Sequence, residues 1–138
     1  MASTNIEQFD LMVGQTLAYL YNRFPMPVNL SVSTFIGEDK VYVKESFTGA
    51  ELTPESEFSY ATFAWLHNAG YIDGELCYGD GISSAVLSAK GLETLKAMPD
   101  SLQGSLGERL VDATKSNSLD VVKALTTEAL AIGMRMIF

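Results

Sequence analysis

The chain holds one histidine and one cysteine, His67 and Cys77, the side chains best suited to act as a neutral-pH base and a thiolate nucleophile. A thiol enzyme needs such a pair oriented by a third group, and zinc normally asks for four ligands. The spacing of these two residues fits neither pattern, so no catalytic residue and no metal ligand is expected. Cys77, between Leu76 and Tyr78, is expected as a half-buried strand residue. Asp73, Glu75 and Asp80 carry carboxylates that could meet a divalent cation, but they lack the spacing of a calcium loop and are expected to be solvated. Gly79-Asp80-Gly81 has the glycines of a phosphate loop without its lysine or its strand-loop-helix setting, and is expected to be a turn. No cofactor is implied.

Charge narrows the partners. Seventeen acidic residues against nine Lys and Arg leave a net charge of -8, which repels nucleic-acid phosphates and anionic membranes unless the cations cluster. Only Lys40 and Lys44 lie close together; Arg23, Lys90, Lys96, Arg109, Lys115, Lys123 and Arg135 are scattered. At 138 residues one continuous core is the expectation. A single cysteine forms no internal disulfide, the first residues lack the regions of a signal peptide, and no apolar run approaches the ~20 residues that span a bilayer. A cytoplasmic address without a membrane role is expected.

The elements that must position these residues follow from periodicity and caps. Thr4 with Glu7 is a capping box, and Ile6, Phe9, Val13, Leu17, Leu20 and Phe24 then form one apolar stripe ending at Pro25-Met26-Pro27. Residues 28 to 47 admit two readings: a hairpin, with Val28 to Ile36 alternating against Val41 and Val43, or a short helix from Ser31 to Glu38. Thr53-Pro54-Glu55 opens a second helix that ends at Gly70, with Phe58, Ala61, Thr62, Trp65 and Ala69 inward and Trp65 in the core. Tyr71-Ile72 and Ala85-Val86-Leu87 read as strands flanking a turn-rich stretch. Ser88 caps a helix through Met98, Ser105 and Glu108 form another capping box, Ser116-Asn117 breaks the chain, and Ser118 opens a last helix toward Phe138.

Two short stretches, Phe63-Ala64-Trp65-Leu66-His67-Asn68-Ala69-Gly70-Tyr71-Ile72 and Leu87-Ser88-Ala89-Lys90-Gly91-Leu92-Glu93-Thr94-Leu95, resemble the winged-helix superfamily around its wing. The resemblance covers residues 53 to 98 and extends to the first helix, but not to the tail. It implies a winged-helix-like core over 1–98 with small β-hairpins; with the C-terminal helical extension that the caps place over 99–138, the expected fold is α+β, mostly α. Most winged helices read DNA with the helix before the wing. Here that helix, Pro54 to Ala69, has no Lys or Arg and carries Glu55 and Glu57, and the stretch Asp73 to Ser84 is likewise acidic. The expected function is therefore a non-enzymatic protein-interaction and dimerisation module, with a dimeric DNA-binding regulator as the alternative.

Two surfaces stand out. Ser56, Tyr60, Phe63 and His67 share the side of the second helix opposite Trp65, and are expected either to dock an unidentified protein partner or to be covered by a second layer from residues 28 to 47 or the last helix. The last helix is apolar around about half its circumference, wider than the ~100° that one core requires. Val121, Leu125, Ile132 and Met136 would extend it into a homodimer contact, or it lies between two elements of one chain.

Overall fold

The computed structural model describes residues 4–43, 52–97 and 104–136. Helix α1 (Asn5–Arg23) begins at the expected capping box: Glu7 N donates to Thr4 Oγ1 at 3.1 Å and Thr4 N to Glu7 Oε1 at 3.3 Å. Val13, Leu17 and Leu20 point into the core, and the helix stops where Pro25 and Pro27 remove backbone donors.

Both readings of residues 28 to 47 hold in part. Val28–Ser31 is a strand, β1, and Val32–Ile36 is a short helix, α2, followed by a 3-10 turn at Glu38–Lys40. β1 does not pair with residues 41 to 43; it pairs antiparallel with a later strand, Leu30 opposite Ile82. Tyr42 instead bridges Leu52. Lys44 to Phe47 lie outside the described residues.

Helix α3 (Pro54–Asn68) opens as expected, with Thr53 Oγ1 accepting from Ser56 N at 3.0 Å and donating to Lys40 O at 2.6 Å. The chain reverses at Gly70, whose φ of +90° favours glycine. Strands β2 (Ile72–Cys77) and β3 (Gly81–Leu87) run further into the turn-rich stretch than their apolar residues suggest, and complete an antiparallel sheet of order β1-β3-β2. Asp80 N donates to Cys77 O at the tip, so Gly79-Asp80-Gly81 is a turn. A Cβ on Gly81 would lie 1.8 Å from Leu30 O, so β1 admits only glycine there.

Helices α4 (Ala89–Lys96), α5 (Leu106–Lys115) and α6 (Leu119–Met134) follow, the first two capped by Ser88 and by the Ser105–Glu108 box. Asn117, at φ +59°, makes the expected break before α6. Met98 and Pro99 lie outside the described residues, and α6 ends at Met134. The fold is α+β and mostly helical, with a small antiparallel sheet and a C-terminal helix. One apolar cluster joins α1, β1, α3, the hairpin, α4, α5 and α6 through Leu17, Leu30, Phe63, Ile82, Leu95, Leu110 and Val122.

Close helix crossings depend on small residues. A Cβ on Gly14 of α1 would lie 2.3 Å from Thr126 Oγ1 and 2.6 Å from Val122 Cγ1 of α6. A Cβ on Gly133 would lie 2.5 Å from Tyr71 Cε1. Lys123 of α6 also bonds Glu7 of α1 at 3.1 Å.

Candidate functional site

Helix α3 is apolar on nearly every side, and its hydroxyl residues decide which side goes in. Ser56, Ser59, Thr62, Phe63 and Leu66 are buried. Ser59 Oγ donates to Glu55 O at 3.0 Å and Thr62 Oγ1 to Phe58 O at 2.9 Å. Bonding to their own helix offsets the desolvation of these small side chains and lets neighbouring elements approach closely.

The face expected at Ser56, Tyr60, Phe63 and His67 is therefore not a free surface. Ser56 and Phe63 are 0% exposed. Phe63 meets Phe35 of α2 edge to face at 5.5 Å, so residues 28 to 47 supply the covering layer. Tyr60 is half-buried against Tyr78 of the hairpin, with centroids 5.6 Å apart. His67 is also half-buried, with Nε2 3.0 Å from Gly74 O and Nδ1 3.3 Å from Asn68 Oδ1. These residues dock α3 onto the hairpin and α2.

On the opposite side, expected to be core, Thr62 is buried as expected and Ala69 packs against the core, but the stretch around Ala61 and Trp65 is open. Trp65 is 39% exposed; Ala61 is exposed and Phe58 half-buried. The Trp65 ring leans edge-on against Phe9 of α1 at 5.2 Å and stacks on Tyr71 at 6.1 Å. Between α1 and α3 lie two adjoining clefts that share Phe58 and together make a groove. One end, about 340 Å³, is lined by Ile6, Phe9, Phe58, Ala61 and Trp65. The other, about 550 Å³, continues past Phe58 to Met12, Ile36, Pro54 and Glu55. Ile6, at its mouth, is 62% exposed. No Lys, Arg or His is among the described residues that line it.

The last helix is covered within its own chain. α6 packs on α1, α4 and α5, which explains its wide apolar face. Leu125 is 3% exposed and belongs to the core, which corrects its expected place at a dimer contact. Ile132 and Met136 are half-buried, Met136 Sδ lying 3.7 Å from Thr94 Oγ1, and Val121 is exposed. Leu119 and Met134 are exposed too, but at 100° per residue Val121 falls at least about 140° from both. The outer side of α6 carries no continuous apolar ridge.

The residues with chemical potential have structural partners. Cys77 ends β2, half-buried as expected, its Sγ 3.6 Å from Glu75 O. Among the described residues no group of three or more His, Cys, Asp or Glu is arranged to hold a metal. A cavity of about 600 Å³ beside α4 is lined by Asp73, Ser88 and Lys90. Ser88 bonds Gly70 O and accepts from Gly91 N, while Lys90 Nζ donates to Ala69 O at 3.0 Å and sits 4.6 Å over the Tyr71 ring. These polar groups close the end of α3 against α4. Burial pushes the Tyr71 phenol above its ordinary range.

Periodicity alone missed the groove because both flanks of α3 are apolar; the signal was the three-residue spacing of Ser56, Ser59 and Thr62. Among the described residues no helix is long and apolar enough to cross a membrane. No family model, curated protein or solved structure matches the chain.

Proposed function

We propose that the chain is a non-enzymatic, winged-helix-like module that works in the cytoplasm by binding another protein through the α1–α3 groove. The observation that carries this reading is the half-open Trp65, set with Ile6 and Phe58 over an apolar cleft. Exposed aromatic and aliphatic side chains of this kind anchor protein interfaces, because they bury much area at little entropic cost. The order helix, strand, helix, helix, hairpin supports the winged-helix-like description of residues 4–97.

The alternative, DNA binding through α3 and the hairpin, is disfavoured by charge. Neither element contains Lys or Arg, and their exposed residues include Glu55, Glu57, Asp73, Glu75 and Asp80. Each missing phosphate contact removes a salt-dependent part of the affinity. Burial of Leu125 removes the ridge on which a homodimer through α6 would depend, so the groove carries the interaction reading.

A photoreactive side chain placed at Ala61, compared in cells with one at exposed Lys115, tests this function. A discrete cross-linked partner from position 61 alone is expected. Equal yields from both positions would overturn the groove, and tight, salt-sensitive retention of random duplex DNA in a gel shift would favour the regulator instead.

A further inference from the structure

Resting on that reading, we infer that the occupant of the α1–α3 groove is a basic, amphipathic helical segment of another protein. The shape indicates a helix. The lining runs from Pro54 to Trp65 along α3, about 16 Å at the rise of an α-helix, and over a similar length from Asn5 to Gln15 along α1. A channel between two helices, about three turns long and floored by Phe9, Met12 and Phe58, accepts one apolar helical face with anchors at i, i+3 or i+4, and i+7. Met12 adds a floor that adapts to different anchor shapes.

Charge sets the sign of the partner. Glu55 lines the groove at its Pro54 end, and Glu57 follows in the same first turn of α3. The 3-10 turn holding Glu38 and Asp39 is tied to that end, because Lys40 O accepts from Thr53, the cap of α3. All four acids are exposed, and among the described residues of this turn and of the first turn of α3 Lys40 is the one cation. A segment carrying Lys or Arg beyond its apolar face would place them over these acids, gaining affinity and a defined direction of docking. A second copy would instead bring another net charge of -8 and the same four acids, and an anionic membrane would be repelled likewise.

A displayed library of roughly 18-residue amphipathic helices, with fixed apolar anchors and randomised polar positions, tests this against the full chain. Enriched binders are expected to carry an excess of Lys and Arg toward one end, and to shift the emission of Trp65, the only tryptophan. They should lose about tenfold or more in affinity for the double variant Glu55→Lys, Glu57→Lys, and all measurable affinity for Ile6→Gln, Ala61→Gln, with circular dichroism confirming that both variants fold. Neutral or acidic binders, or binders indifferent to the lysine variant, would overturn the basic partner while leaving the groove standing. A library without binders, or binders indifferent to Ile6→Gln, Ala61→Gln, would overturn the groove as well. Concentration-dependent self-association of the parent that shifts Trp65 emission would put a second copy there and overturn the proposal.

Discussion

The two flanks of α3 contain similar residues and meet opposite fates. Toward the hairpin, Phe63 is fully buried against Phe35, and Tyr60 and His67 are half-buried against Tyr78 and the Gly74 carbonyl. Toward α1, Phe58, Ala61 and Trp65 face a cleft that Phe9 covers only in part. The difference arises from what lies across each flank. The hairpin and α2 are held to one another by Ser31 and Val32 bonding Asp80, at 3.1 and 2.8 Å, and so close over α3 as one surface. Helix α1 turns its best apolar stripe toward α5 and α6 and leaves Ile6, Phe9, Leu11 and Met12 for the cleft against α3. A helix can thus carry apolar residues on both flanks yet have one side that stabilises the fold and another left open.

Substitutions on the two flanks should separate accordingly. Phe63→Ala on the sealed side opens a cavity among fully buried groups and is expected to cost roughly 3–5 kcal/mol in urea unfolding. A loss below about 1 kcal/mol would mean that the sealed side is not sealed. Gly133→Ala pushes a methyl into the Tyr71 ring, which stacks on Trp65. It should lower stability by about 1–3 kcal/mol despite alanine's better helix propensity, and alter Trp65 emission in the unbound protein.

A smaller effect follows from pH where α1 meets α6. The Lys123 ammonium, bonded to Glu7, and then the backbone N–H of Thr4 hold the Glu7 carboxyl below its ordinary value of 4.5. The folded form therefore binds that proton less readily than the unfolded chain. Its stabilisation is complete above the ordinary carboxylate range and is lost as pH falls through the lowered value. Asp10, raised by burial, acts in the opposite sense and softens the decline. Melting curves taken between about pH 3 and pH 7 should show a shallower acid-side loss for Glu7→Gln than for the parent; parallel curves would exclude the pair as a support of α1. The smallest effect on stability is expected from Ile6→Gln with Ala61→Gln, within about 0.5 kcal/mol of the parent, since both side chains are exposed. A large loss would show that the open flank is part of the core.

Local chemistry made several features readable from the chain alone. The Thr4–Glu7 and Ser105–Glu108 boxes, Thr53 before Pro54, Ser88 before α4 and the Ser116-Asn117 break each depend on residues a few positions apart, and each lies where expected. Long-range pairing was less readable. Val28 to Ile36 splits into β1 and α2 because β3, more than fifty residues later, offers the edge that β1 takes, while Val32 N finds the Asp80 carbonyl. The orientation of α3 was obscured for a related reason: a serine such as Ser59 looks outward-facing by polarity but turns inward when it bonds its own helix. Leu125 was hidden differently, since an apolar band wide enough for a partner is also wide enough for α1, α4 and α5 together.

The contact of the first helix with the last bears on how the protein comes off the ribosome. Glu7 reaches Lys123 across 116 positions, and Gly14 makes room for Thr126. At 5–20 residues per second, the buried stripe of α1 waits on the order of ten seconds for the helix that completes its cover. During synthesis the α1 surface that α6 will cover waits without it, and emergence of α6 completes its burial.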